Sequence, residues 1–301
     1  MRSDAEVIIV GGGAAGLSAA LMLRRCLRSV LLFDTGKPRN GVAHATHGYL
    51  TRDGLPPSEW LKLAREEVLR YGARVLPEEV VDLVPDGERF TIRTAADQCF
   101  TARKVLIATG VRDILPQLAG FDDFYGTSVF HCPYCDAWEV RDQPLVAYGP
   151  GNRALPLALN LCTWSREVTL LTDGPYDFTL DERSRLERNG VTLCTVPVAR
   201  LEGTAGMLQH VLLSDGQRLP CKALFFCTGH ELNWKMPVSL GTEVAPNGEV
   251  VTDLNQRTGI RGVFVAGDAS IDTHFISVAC AEGAKAAVAI HEELRNDDAL
   301  D

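Results

Sequence analysis

Val7-Ile8-Ile9-Val10-Gly11-Gly12-Gly13-Ala14-Ala15-Gly16 is an apolar run that breaks into glycine and then into alanine. Reading outward from it, residues 5–10 are predicted to form a buried parallel strand. A helix of Ala, Leu and Met follows, to about residue 28. Residues 29–33 form a second strand that ends at Asp34. Strand, GxGxxG, helix, strand and acid, in that order, make a dinucleotide site. Gly11, Gly13 and Gly16, with Ala14 and Ala15 between them, let the backbone approach a pyrophosphate that sits on the helix N-terminus. Asp34 is placed to accept from ribose hydroxyls.

The chain then repeats this plan. Residues 145–148 are a strand, and Gly149-Pro150-Gly151-Asn152-Arg153-Ala154 replaces the loop, with Ala for the third glycine. A helix to about residue 164 and a strand over 167–171 lead to Asp173. The spacing from first glycine to acid agrees between the copies to within one residue. Their closing strands match too: Val105-Leu106-Ile107-Ala108-Thr109-Gly110 beside Leu224-Phe225-Phe226-Cys227-Thr228-Gly229. One GxGxxG is a weak signal; two copies with matched acids and closing strands are a strong one. Helix 57–71 and short strands near Val80, Phe90 and Phe100 fill the space between Asp34 and Thr109. Late in the chain, Val263-Phe264-Val265-Ala266-Gly267-Asp268 is a strand running into an acidic turn, followed by a helix over 277–294. Residues 296–301 read as a frayed polar tail. The expected fold is α/β with two Rossmann-like dinucleotide-binding domains, the second inserted into the first. The first comprises residues 1–113 and 232–301, and the inserted one residues 114–231.

Between the two signatures lies His131-Cys132-Pro133-Tyr134-Cys135-Asp136. A CxxC pair is either redox-active or a zinc half-site. A structural zinc site wants four ligands, commonly as two spaced pairs, and there is no second CxxC and no HxxxH. No metal is therefore expected. The setting favours a dithiol that exchanges electrons with a bound flavin. Two intervening residues bring the sulfurs together at a helix start, where Pro133 fits the first turn and the dipole lowers a thiol pKa. Asp136 can protonate a leaving thiolate or take a proton from an incoming thiol. His131 is read as a hydrogen-bonded neighbour, and Trp138 as either a flavin-packing or a core aromatic. His44 and His47 belong to a polar loop at a substrate or flavin edge.

Bulk composition excludes several classes. The chain has 301 residues, 46% apolar and 23% charged, with a net charge of −9, ordinary values for a soluble two-domain protein. No dense Lys/Arg cluster marks a nucleic-acid partner. The apolar run 7–23 is not a signal sequence, because Asp4 and Glu6 precede it and glycines interrupt it. No segment is long and apolar enough to span a bilayer. Nine cysteines without an export signal fit a reducing cytoplasm, with the seven outside the CxxC read as buried small hydrophobes.

Together, residues 11–16, Asp34, Thr109-Gly110, Cys132 to Asp136 and Gly267-Asp268 resemble the low-molecular-weight thioredoxin reductase family, over essentially the whole chain. The resemblance implies one FAD in the discontinuous domain, a redox disulfide on the inserted one, and a homodimer. By that analogy Asp268 holds the ribitol–phosphate region, Cys135 faces the flavin, Cys132 exchanges with the substrate sulfur, and Asp136 is the acid/base. The substrate would be a small thiol or disulfide, or a thioredoxin-like protein. The chain departs from NADPH-dependent members where the nucleotide should bind. Thr172-Asp173-Gly174 replaces a basic cluster, Pro156-Leu157 an acidic pair, and Phe275-Ile276 an Arg-Gln pair. A carboxylate at Asp173 repels a 2′-phosphate and suits a free 2′-hydroxyl. The pattern is closer to pyridine-nucleotide-independent branches: gliotoxin- and holomycin-type dithiol oxidases, ferredoxin-linked reductases and diflavin-linked disulfide oxidoreductases. Gly149, Gly151 and Asp173 would then hold NAD(H), a second FAD, or nothing. An NAD(P)H-dependent thioredoxin reductase, a diaphorase with incidental cysteines and a redox sensor are the alternatives.

Overall fold

The computed structural model describes residues 4–270 and 273–299. Along the chain the elements are β1 (Val7–Val10), α1 (Ala14–Arg25), β2 (Val30–Phe33), α2 (Pro57–Arg70), β3 (Arg74–Leu76), β4 (Val80–Asp86), β5 (Arg89–Thr94), β6 (Cys99–Ala102), β7 (Lys104–Ile107) and β8 (Val111–Asp113). There follow β9 (Val129–Phe130), α3 (Pro133–Asp136), β10 (Leu145–Tyr148), α4 (Leu155–Leu161), β11 (Val168–Leu171), α5 (Leu180–Arg188), β12 (Thr192–Cys194), β13 (Val198–Thr204), β14 (Met207–Leu213), β15 (Arg218–Pro220) and β16 (Ala223–Phe226). The chain ends with β17 (His230–Leu232), α6 (Met236–Ser239), β18 (Val263–Val265) and α7 (Ile276–Asp298). These elements divide into two compact units. One holds residues 1–41, 58–112 and 230–301; the other holds residues 42–57 and 113–229. Residues 42–57, which the sequence reading left in the first domain, thus cluster with the second unit.

In the first unit five parallel strands lie in the order β18-β7-β1-β2-β3. All but the edge strand β3 are buried on both faces, which is why those four strands read as largely apolar runs and not as alternation. Helices α1 and α7 pack on one face of this sheet at backbone distance. A Cβ added to Gly283 of α7 would lie 2.1 Å from the Ala15 carbonyl oxygen. A three-stranded antiparallel meander, β4-β5-β6, fills the connection from β3 to β7. Lys104, buried in β7, is neutralised by Glu293 and Asp297 of α7 at 3.1 and 3.0 Å.

The second unit repeats the scheme. Its parallel sheet runs β12-β11-β10-β16-β9, and an antiparallel meander β13-β14-β15 precedes the closing strand β16. Each unit is a Rossmann-like α/β fold. The expected frayed tail is a correction. Helix α7 continues to Asp298, where Asp298 binds Arg103 at 2.6 Å and Arg28 at 2.8 Å. Acids at a helix C-terminus are disfavoured by the dipole, and these cations offset that cost. Residues 300 and 301 of that tail lie outside the described residues.

Candidate active site

Cys132 and Cys135 form a disulfide in the second unit. Cys132 is the extended N-cap of α3 and Pro133 its first residue. The helix is a single turn, so little of the macrodipole expected to lower a thiol pKa is available to the sulfurs. Asp136 closes that turn. Burial, partly opposed by the nearby His47 and reinforced by Glu139, pushes its carboxyl up to about 7. A carboxyl there can both give and take a proton near neutrality. His47 comes from the 42–57 segment and bridges two acids, with Nε2 3.6 Å from Glu139 and Nδ1 3.6 Å from Asp53. The segment is held in place by backbone contact, since a Cβ on Gly126 would lie 2.2 Å from the Val42 carbonyl oxygen. A hydrogen bond between His44 and Thr127, at 2.9 Å, adds to it. His131 lies 3.8 Å from Asp113. Trp138 is not a core residue of its unit: it is exposed and stacks under the Arg141 guanidinium at 4.1 Å.

In the first unit the glycine turn, Thr109-Gly110 and Gly267-Asp268 converge at the C-terminal ends of the adjacent strands β1, β7 and β18. A Cβ on Gly11 would fall 2.2 Å from the Ala108 oxygen, and one on Gly16 would fall 1.9 Å from the Gly11 oxygen. Both positions therefore require glycine for close packing. A Cβ on Gly13 would meet nothing within 4 Å, so this face of the turn is open. Gly13 caps α1 without a side-chain hydrogen bond, and the first turn of α1, from Ala14, carries no acid. The hydroxyl of Thr109 is buried with no hydrogen-bond partner. An orphaned buried hydroxyl beside an open glycine face and a free helix terminus fits a missing polar ligand such as a dinucleotide. Asp34 follows β2 directly, with its carboxylate against the Arg65 guanidinium. Asp268 lies beside Gly110, across from Arg39 at 2.9 Å.

The second glycine turn differs. A Cβ on Gly151 would lie 2.9 Å from the Tyr176 ring, so that ring covers the position where a pyrophosphate would approach. Asn152 is tied to Glu182 at 2.7 Å, and Glu182 itself closes the capping box of α5 with Thr179. A Cβ on Gly149 would lie 2.9 Å from the Cys227 carbonyl oxygen. Asp173, read as a ribose ligand, is instead engaged inside the unit on both oxygens. One accepts from the Tyr148 hydroxyl at 2.6 Å and the other from the Val198 N–H at 2.8 Å. That pairing, on top of burial, raises the Tyr148 hydroxyl pKa. Asp173 holds a left-handed backbone, φ 52°, to make both bonds. These residues do not fit a bound dinucleotide as they stand.

Several residues of these sites carry no local sequence signal. Glu282, buried on α7, accepts from the Gly267 N–H at 2.6 Å and the Ser270 hydroxyl at 3.0 Å, and so fixes the acidic turn. Arg39 and Arg65 reach their partners only through the fold, as does His47, which the sequence marks as part of a polar loop but not as a neighbour of Asp136.

The profile of pyridine nucleotide-disulphide oxidoreductases matches residues 5–287. The chain is 32% identical to the thioredoxin reductase tcpT of Claviceps purpurea, over 87% of this chain and 86% of that protein. It is 29% identical to a probable thioredoxin reductase of Arthroderma benhamiae, over 98% and 81% of the two chains. Among solved structures, that of HlmI superposes with a TM-score of 0.94 at 34% identity, covering 98% of this chain and 94% of the other.

Proposed function

The chain belongs to the pyridine nucleotide-disulphide oxidoreductase family and is a thioredoxin reductase-like oxidoreductase, and from that premise we propose that it is an FAD-dependent dithiol oxidase that does not draw on a pyridine nucleotide. The observation that carries this reading is the contrast between its two glycine turns. The first has an open face at Gly13 and an orphaned Thr109 hydroxyl, whereas the second is covered by Tyr176, with Asp173 engaged by Tyr148 and Val198.

In this reading Gly11, Gly13, Ala14, Ala15, Gly16 and Asp34 hold the adenosine diphosphate half of FAD. Thr109, Gly110, Gly267 and Asp268 hold the remainder. Bound FAD supplies a two-electron sink. A substrate thiolate attacks Cys132, forming a mixed disulfide and releasing Cys135 as a thiolate. The second substrate thiolate then displaces Cys132, which closes the substrate's disulfide and leaves the enzyme pair holding two electrons. Asp136, ionised above about pH 7, takes the proton of the incoming thiol. The family resemblance supports a homodimer, and the cysteine usage supports a reducing, cytoplasmic setting.

Replacing Cys135 with Ser should abolish bleaching of the flavin by a small dithiol while leaving the yellow colour intact. Full bleaching in that variant would overturn the assignment. A second reading is favoured by the relatives called thioredoxin reductases: electrons would run in reverse, to a thioredoxin-like protein. It predicts that NADPH reduces the flavin, which the dithiol reading does not.

A further inference from the structure

Apart from the disulfide and the two glycine turns, the first unit brings together His230, Glu249 and His274, whose ligand-type atoms lie within 4.8 Å of one another. Glu249 is the centre. It is 4% exposed, and its Oε1 lies 2.9 Å from Nε2 of His230 and 3.0 Å from Nε2 of His274. Its other oxygen accepts from the Asn247 amide at 2.6 Å. The two imidazole rings meet edge to face, with centroids 5.0 Å apart.

Two His and one carboxylate could hold a divalent cation, but the opposite nitrogen of His274 argues otherwise. Its Nδ1 is 2.8 Å from Nη1 of Arg39. A guanidinium only donates, so Nδ1 must accept and the ring proton must sit on Nε2. A metal-bound Nε2 would need the reverse tautomer, with an Nδ1 proton pointed at Arg39. With its proton on Nε2, His274 faces the Glu249 carboxylate. The contact is bent away from the line of a good hydrogen bond and is mainly electrostatic. The same Arg39 Nη1 binds Asp268 at 2.9 Å. The groups therefore form a chain of fixed polarity: Asp268 accepts from Arg39, Arg39 donates to His274, and His274 donates towards Glu249.

We propose that Glu249 is a positioning residue: from inside the unit it stabilises the Nε2-protonated form of His274 that Arg39 needs at Nδ1, and through the ring it helps aim Arg39 and the Asp268 carboxylate at the cofactor. The consequence for the cofactor rests on reading this unit as the FAD domain; the tautomer does not. His230, donating to the same Glu249 oxygen, and Asn247 on the other keep the carboxylate from rotating away.

The test is long-range 1H–15N NMR of the seven histidines, with His274 assigned by its loss in His274→Ala, together with FAD affinity by fluorescence. In the wild type His274 should show a protonated Nε2 and a bare Nδ1, with or without FAD. In Glu249→Ala only Arg39, which Asp268 also holds, is left to restrain the ring; as Arg39 swings towards Asp268 the Nε2-protonated form should become one member of a tautomer mixture, and FAD binding should weaken about tenfold, the size of one charge-assisted hydrogen bond lost downstream. Glu249→Gln, which keeps an acceptor oxygen, should retain the wild-type signal. An unchanged His274 in Glu249→Ala would overturn the proposal, and so would equal loss in Ala and Gln variants, a sign of general damage. Uptake of one equivalent of zinc with loss of the Nε2 proton would overturn it in favour of a metal site. A wild type that binds no FAD but shows the stated tautomer would refute the flavin reading and leave the positioning role of Glu249 standing.

Discussion

Asp136 owes its chemistry to residues far from it in sequence. Burial raises its carboxyl to about 7, and the largest counter-effect comes from His47, nearly ninety positions upstream. Because the folded value lies above the unfolded one, the folded protein binds more protons than the unfolded chain between about pH 4 and pH 7. Its stability therefore falls as pH rises through that window. At ~1.4 kcal/mol per pH unit, keeping the ionised group half-buried above pH 7 costs on the order of 2–4 kcal/mol, the lower figure allowing for water that reaches it. Asp136→Asn should accordingly match the wild type in denaturant titrations at pH 4 and exceed it by a few kcal/mol at pH 8. The wild type should show a rise in dithiol-driven flavin bleaching through pH 7, and the same variant should lose it. A parallel offset between the two proteins at both pH values would contradict this account. The CxxC and its acid were legible because their chemistry is contiguous in sequence. His47 was legible only as part of a polar loop, not as a partner of Asp136, and the roles of Arg39, Glu249 and His274 were not legible, since each acts through partners that only the fold brings near. Asp173 misleads for a related reason. Its register copies that of Asp34, but Tyr148 and Val198 claim its oxygens.

At the scale of elements, the first unit depends on the approach of α1 to α7. Intrinsic propensity favours Ala over Gly inside a helix by about 1 kcal/mol. At Gly283 the sign should reverse, because the added methyl would meet the Ala15 carbonyl at 2.1 Å, a backbone atom with nowhere to go. Overpacking of this kind costs about 1–3 kcal/mol. Gly283→Ala should therefore destabilise the protein by about 1–2 kcal/mol net and loosen flavin retention, because Ala15 lies in the glycine turn; chemical denaturation and flavin release on dilution measure both. A more stable variant would mean that the helices can separate without consequence. The strands were legible as apolar runs, and α1, α2 and α7 as helices, because burial on one or both faces imprints a period on the sequence. The ends were less so. Helix α4 stops at Leu161, and α7 extends through Asp298 because cations on other elements hold its acidic last turn.

For the whole molecule, the two units share a four-strand core, β7-β1-β2-β3 and β16-β10-β11-β12, with a meander inserted at the same point in each; the fifth strand comes last in the first unit, as β18, and first in the second, as β9. That duplication was visible in the matched glycine turns and closing strands. What the sequence did not disclose is that the copies have diverged in use: one glycine turn is left open, while the other is covered by its own unit's side chains. Trimming the cover therefore should not by itself create an NADPH site. Tyr176→Ala exposes Gly151 but leaves Asp173, whose charge disfavours a 2′-phosphate. Fluorescence titration of that variant with NADPH should show no saturable binding below millimolar concentration. The account as a whole turns on where the electrons enter. An anaerobic titration of the purified protein, following flavin absorbance on addition of NADPH, NADH and a dithiol in parallel, should show about one FAD per chain bleached by the dithiol and by neither nucleotide. Rapid stoichiometric bleaching by NADPH would contradict it.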